Sequence, residues 1–296
     1  MTFAHQVKNE VTHNKALINH NSIPLLYGML IFGRRFDEES IMISTEHKSV
    51  ARLCGRLIFQ QIPMAASVTT REYKGTFDKS TYVVTVDDAN DRKAVLDYFR
   101  TAKIFTKAQS FHAFIAGAML SAGNLSDPSK DYHFEIICPK QEMADQMISL
   151  MEQMEVKAHC MIRRDLPVVY VKDSQSIEDL LTIFGAHKAV MDMMNVKITK
   201  EMRNQANRIT NCETSNIMKS AGAAAVQLKD IHYLQESGRL ETLPVVLKET
   251  AQLRLENPEA TLRELAEISG VSRSGINHRL KKISELADQF RAEELQ

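Results

Sequence analysis

The sequence predicts an α+β N-terminal half, duplicated about a pseudo-two-fold axis, followed by an all-α half that ends in a helix-turn-helix. Three observations lead there. The order helix, strand, helix, strand, strand, helix occurs twice before Gly185. Each copy opens on an apolar helix that carries a glycine, Gly28 in the first and Gly117 in the second. After Gly185 the strand signals vanish and only helical periodicity remains. The expected boundaries are 1–185 for the duplicated domain, 186–230 for linker helices and 231–296 for the terminal domain.

Taken in order, Thr2–Asn14 reads as a short amphipathic helix with Phe3, Val7 and Val11 on one side. Ile23–Phe36 is apolar nearly all round, so it is expected to be a buried helix. Glycine inside it costs about 1 kcal/mol against alanine, which points to close helix-to-helix contact. A strand over Ser40–His47 and a helix over Ser49–Ile62 follow. Ser67–Tyr73 and Thr81–Val86 form a hairpin, and Ala89–Thr101 a helix. The second copy takes Ser110–Ala122 as its glycine helix. Asp131–Cys138 is its strand and Lys140–Met154 its helix. Lys157–Arg164 and Pro167–Lys172 make its hairpin, and Ser176–Phe184 closes it. Repetition of one unit predicts two apolar helices packed at the symmetry axis.

From His187 one long helix is expected through Ala206, continuing or bending through Asn211. Arg203, Asn204, Asn207, Arg208 and Asn211 recur at three- and four-residue steps and so share a polar face. Lys197–Asp230 holds six basic and three acidic residues, a local excess of positive charge. Asparagine is a poor helix former, and contact with phosphates or base edges is one compensation. Packing of a linker helix on both sides is the other. Leu243–Asn257 is the next helix, with Pro244 in its first turn.

Thr261–Lys282 carries the clearest local signal. Thr261 and Glu264 have the spacing of a capping box, and Gly270 stands where a left-handed residue ends a helix. Leu262, Leu265, Ala266 and Ile268 make the apolar face of the first helix. Ser272 caps the second, which buries Ile276, Leu280 and Ile283. Ala266, Gly270 and Ile276 have helix-turn-helix spacing. The other face of the second helix bears Ser272, Arg273, Ser274, Asn277, His278, Arg279, Lys281 and Lys282, with no acid between Ser272 and Lys282. Arginine and asparagine read base edges by paired hydrogen bonds, and lysine and serine suit phosphates. Arg273, Ser274, Asn277 and His278 are therefore the candidates for bases, and Arg279, Lys281 and Lys282 for phosphates. An ordinary basic surface helix is the plainer reading. Gly275, early in the helix, allows close approach to a phosphate or is simply tolerated.

Bulk properties exclude several classes. Basic and acidic residues number 37 each, so the formal net charge is +0 and any nucleic-acid surface must be local. Hydrophobic residues make up 44%, enough for a sizeable core. Cys54, Cys138, Cys160 and Cys212 form no CxxC pair and fit reduced thiols in a cytoplasmic protein. No signal peptide or membrane span is expected. No glycine-rich phosphate loop, nucleophile triad or metal cluster stands out, so no cofactor, metal or catalytic residue is assigned. The ten histidines and 15 methionines read as surface and core residues respectively.

The two glycine helices resemble the LAGLIDADG motif of homing endonucleases. That resemblance implies motif helices at the axis, each delivering one acidic metal ligand at its end. Here those positions are Gly33 and Ala122, neither a carboxylate. Hard oxygen ligands are what metal-assisted hydrolysis requires. Asp37 and Asp127 lie a few residues on and read as loop residues. A LAGLIDADG-like domain without its acids, an Asn/Arg-rich helix and a terminal helix-turn-helix together resemble the WhiA family. TFAHQVKNEVT (2–12), FIAGAMLSAGNLSDPSKDYHFEI (114–136), MRNQANRITNCETSN (202–216) and SGVSRSGINHRLKKI (269–283) carry the likeness. It implies a non-enzymatic regulator, cytoplasmic and nucleoid-associated, that binds double-stranded DNA and acts in transcription, sporulation, cell division and chromosome segregation. The alternative is a protein-interaction scaffold whose residues 1–185 dock a partner from the transcription or division machinery, with DNA binding secondary. Mixed charge in the hairpins (Arg71, Glu72, Lys74, Asp78, Lys79, and Arg163, Arg164, Asp165) implies weak DNA binding there.

Overall fold

The computed structural model describes residues 2–75 and 80–294, so Asp78 and Lys79 lie outside the described residues. The chain forms two compact units, Met1–Lys200 and Glu201–Gln296.

In the first unit α1 (Phe3–Val11) and α2 (Lys15–His20) precede α3 (Ser22–Ile31). Thr2 caps α1 and Asn14 caps α2, each accepting a backbone N–H three residues on. Then come β1 (Arg35–Phe36), β2 (Ile41–Thr45), α4 (Lys48–Gln61), β3 (Val68–Lys74), β4 (Ser80–Val86) and α5 (Ala89–Thr101). The second copy runs α6 (Ala108–Ala122), β5 (Gly123–Leu125), β6 (Phe134–Ile137), α7 (Gln141–Glu152), β7 (His159–Arg163), β8 (Leu166–Val171) and α8 (Ser174–Phe184). The first sheet has the order β1-β2-β4-β3 and the second β5-β6-β8-β7, all antiparallel. The identical order displays the duplication.

α3 and α6 pack where the glycines meet. A Cβ on Gly28 would fall on the carbonyl oxygen of Phe114, and one on Gly117 on that of Leu25. Gly28 Cα is itself only 3.1 Å from that Gly117 Cβ position. Around this crossing Leu25, Leu26, Met29, Ile115, Ala118 and Leu120 are buried. Each large side chain of this kind contributes roughly 1.5–3 kcal/mol on burial. Ser121 Oγ donates to the Met29 carbonyl at 2.7 Å, a polar bond between the two helices.

Several expectations need correction. The helix expected over Ile23–Phe36 ends at Ile31. Gly33 N–H bonds back to Leu30, and Arg34 N–H is drawn to the Met42 carbonyl, so the chain turns into the sheet. Each repeat therefore has an extra short strand after its glycine helix, β1 and β5. Strands of two or three residues leave no periodicity to read. The strand expected from Asp131 starts at Phe134, because Asp127–Asp131 form a hydrogen-bonded turn. Arg164 belongs to a turn, not a strand: Arg164 and Asp165 have φ of 52° and 63° and join β7 to β8 as a two-residue loop. The helix α2 was not foreseen.

α9 (His187–Glu236) continues unbroken past Asn211 and is 50 residues long. In the second unit it is followed by a 3-10 turn (Arg239–Thr242), α10 (Val245–Glu256), α11 (Leu262–Ser269) and α12 (Arg273–Glu294). Pro244 is the N-cap residue of α10 rather than part of its first turn. The core of this unit joins Ile231, Leu234, Leu243, Ala251, Leu265, Ile276, Leu280, Ile283 and Ala287. Two polar anchors brace it. Arg254 is buried and donates to the Ala260 and Asn257 carbonyls, tying down the connection between α10 and α11. Asp230 and Arg291 form an ion pair at 2.8 Å between α9 and α12.

Candidate nucleic-acid interface

The local chemistry of 261–283 folds as the residues dictate. Thr261 Oγ1 accepts from Glu264 N–H, and the Glu264 carboxylate accepts from Thr261 N–H at 2.6 Å, closing the capping box. Those bonds hold the Glu264 carboxyl below its usual range. Gly270 ends α11 with φ of 70°, the left-handed conformation that glycine alone adopts freely. Ser272 Oγ accepts from Gly275 N–H at 3.1 Å and so caps α12. Ile276, Leu280 and Ile283 are buried, and Leu265 of α11 meets them. Ile268, expected in the apolar face, is instead 58% exposed.

A Cβ on Gly275 would stand 2.8 Å from Val271 Cγ1 and 3.2 Å from Ser272 Oγ, so a larger residue there makes those two side chains shift.

On α12, Ser272, Arg273, Ser274, Asn277, His278, Lys281 and Lys282 are exposed, while Arg279 is half-buried. At about 100° per residue, Arg273, Ser274, Asn277, His278 and Lys281 project from one face. Arg279 lies on the far flank, beside the apolar stripe, and is separated from the group it was expected to join. Lys282 sits at the edge of the face and meets Glu285 at 3.5 Å. That acid lies just beyond the acid-free run.

On α9, Arg203, Asn204, Asn207, Arg208 and Asn211 share one side, and every residue from 201 to 219 is exposed.

The pseudo-two-fold centre tells a different story. A cleft of about 560 Å³ is lined by Gly33, Arg34, Ser44, Ser121, Ala122 and Cys138 among others, with no carboxylate in its lining. Asp37 accepts from the N–H groups of Glu39 and Ser40, and Asp127 from Ser129 N–H and Oγ. Both are turn residues, as their positions suggested. Among the described residues no group of three or more His, Cys, Asp or Glu side chains could hold a metal ion.

Two of the sheet cations are paired from within. Arg71 pairs with Asp87 at 2.9 Å. Arg163 forms a two-pronged pair with buried Glu135, at 2.9 and 3.0 Å. Burial raises the Glu135 pKa, yet hydrogen bonds from Arg163 and His133 outweigh it and hold the carboxyl below its usual range.

Comparison with known proteins settles the family. Residues 206–287 match the model described as the WhiA C-terminal HTH domain, and residues 111–203 the WhiA LAGLIDADG-like domain. A protein of Clostridium perfringens named "Probable cell division protein WhiA" is 32% identical over 98% of this chain and 99% of its own. The chain belongs to the WhiA family. A Clostridium botulinum WhiA is 29% identical over the same shares. The crystal structure of full-length WhiA from Thermotoga maritima superposes with a TM-score of 0.61, at 22% identity, over 98% of this chain and 99% of that one. The isolated WhiA LAGLIDADG domain matches with a TM-score of 0.53 and 19% identity, covering 62% of this chain and 90% of that one. The fold is therefore that of WhiA: a LAGLIDADG-like domain and a helical HTH domain. In this WhiA-family chain Gly33 and Ala122 stand beside the central cleft where the LAGLIDADG resemblance places acids.

Two features escaped the sequence reading. Arg254 looked like any charged helix residue, and nothing local marked its burial. His5 and His47, 42 positions apart, place their Nδ1 atoms 2.9 Å from each other. Among the described residues no helix is long and apolar enough to cross a membrane.

Proposed function

We propose that this chain is a non-enzymatic regulator that binds double-stranded DNA, with α12 entering the major groove. The observation that carries this is the exposed face of Arg273, Ser274, Asn277, His278 and Lys281 on a helix held by a capped, glycine-turned helix-turn-helix. Beyond the Gly275 N–H that Ser272 caps, its start turns N–H groups and positive potential towards phosphates. Arg273 and Asn277 are assigned to base edges, Ser274 and His278 beside them, and Lys281 and Lys282 to phosphates. Arg279, on the flank, suits a phosphate at the groove edge. Arg203, Asn204, Asn207 and Arg208 on α9 form a second candidate DNA surface, within or beside the matched HTH region. A relative named as a probable cell division protein supports a role in cell division. Transcription, sporulation, chromosome segregation and a cytoplasmic, nucleoid-associated location extend that reading. Cys54 and Cys138 are buried free thiols whose pKa burial pushes up to about 12.

The second reading is a docking scaffold in residues 1–185. Internal pairing of Arg71 and Arg163 supports it, because a DNA saddle keeps its cations free. Fluorescence anisotropy of the full chain on a random-sequence duplex tests the first reading, with binding expected to weaken steeply as salt rises. Arg273→Ala with Asn277→Ala is expected to weaken it further. Unchanged binding in that variant moves the DNA surface off α12.

A further inference from the structure

A cleft between α1 and α4 gathers several cations of the first unit. It measures about 480 Å³ and is lined by His5, Asn9, His13, Lys48, Arg52 and Arg56, with Thr12, Ser49 and Leu53 completing it. Lys48, Arg52 and Arg56 stand one helical turn apart on α4 and so point the same way. Arg52 and Arg56 are exposed, and among the described residues none of the three forms an ion pair or a side-chain hydrogen bond. This contrasts with Arg71 and Arg163, which are neutralised by Asp87 and Glu135.

The acids nearby face elsewhere. Glu10 accepts from Gln6 and from the backbone of Lys188. Glu46 acts on buried Lys8, and Glu72 accepts from Ser80 and Tyr82, with Lys48 at its edge. α4 begins at the cleft, where its N-cap residue His47 supplies no side-chain hydrogen bond; Val50 N–H bonds to the His47 carbonyl, which leaves the Lys48 and Ser49 N–H groups at the helix start. His47 is pushed down to about 4 by burial and then by Lys8 and His5.

We propose that this cleft is a binding site for a small polyphosphate anion, of the class of a nucleoside di- or triphosphate or inorganic tripolyphosphate. A row of cations facing one recess, the start of α4 beside it and no lining carboxylate suit such a ligand. The volume lies within the range of about 300–1,000 Å³ typical of small-molecule sites. A duplex backbone instead needs cations spread along a continuous surface, and here they line a recess between two helix walls. This inference does not rest on the DNA reading of α12.

The test is isothermal titration of the full chain with inorganic tripolyphosphate and with ATP, both metal-free, at two salt concentrations. Saturable one-to-one binding that weakens with salt is expected. Arg52→Gln with Arg56→Gln lowers the affinity at least about tenfold, the effect of losing charge-assisted bonds. Lys48→Gln gives a second variant with an independent loss. Arg273→Ala leaves the affinity unchanged. ATP binding tighter than tripolyphosphate shows that the nucleoside is also recognised, and equal affinity shows that phosphate alone is. Absence of saturable binding overturns the proposal. So does affinity retained in both variants, or affinity lost in Arg273→Ala. If the α4 variants lose duplex DNA affinity while wild type ignores tripolyphosphate, the cleft is a DNA contact and the proposal fails.

Discussion

Single atoms decide the centre of the first unit. Because a Cβ on Gly117 would occupy the Leu25 carbonyl, Gly117→Val must push α3 and α6 apart. Overpacking of this kind costs about 3 kcal/mol or more, and chemical unfolding should show it as a lowered midpoint. His47 gives a second residue-scale prediction. Its pKa is lowered to about 4 in the folded chain, against roughly 6.5 unfolded. As pH falls from 6.5 towards 4, the unfolded state takes up a proton that the folded state refuses. Stability therefore falls on acidification through that window. Allowing for its partial exposure, the loss from this group is about 1 kcal/mol between pH 7 and pH 5. Urea unfolding at both pH values should show the slope, and His47→Gln should flatten it. A steeper slope in that variant would place the effect elsewhere.

Among the elements, the helix-turn-helix depends on its caps. Thr261→Ala removes an N-cap bond that is reciprocated by Glu264 and should cost about 1 kcal/mol. Gly270→Ala meets nothing within 4 Å, so its cost is purely that of a left-handed backbone, also about 1 kcal/mol. Circular-dichroism melts of the two variants check both figures. If Gly270→Ala melts at the wild-type temperature, the left-handed turn is not a constraint. α9 shows the limit of treating methionine as core filler. Met193 is buried, yet Met191, Met194 and Met202 are exposed with Ile198 and Ile209 along one side of the helix. Arg203, Asn204, Asn207 and Arg208 occupy the opposite side.

For the whole molecule, net charge is +0, so long-range attraction to DNA must come from local cations. Each phosphate contact contributes close to one unit to the slope of log affinity against log salt. Lys281→Ala should lower that slope by about one unit and weaken all sequences alike. Arg273→Ala should instead narrow the gap between a chosen site and random DNA. Anisotropy titrations across salt concentrations separate the two outcomes. An unchanged slope in Lys281→Ala would mean that this side chain reaches no phosphate.

The sequence by itself determined whatever is local or periodic. Gly28 and Gly117 announced the close crossing, because an apolar helix has no other use for them. Thr261, Glu264, Gly270 and the spacing of Ile276, Leu280 and Ile283 specified two capped helices and the face each buries. Family likeness carried the LAGLIDADG-like reading and drew attention to Gly33 and Ala122. Tertiary structure decided what depends on residues far apart in the chain. The two-residue and three-residue strands β1 and β5 exist only because β2 and β6 offer them partners. Arg254 is buried because the α10–α11 connection closes over it. Arg279 leaves the basic face because α12 must turn its neighbour Leu280 into the core. The cleft of Lys48, Arg52 and Arg56 joins side chains from α4 to His5 and His13, more than thirty positions away. Local pattern fixes backbone conformation through short-range hydrogen bonds and sterics. Clustering of charge is set by packing, which brings together residues that no sequence window contains.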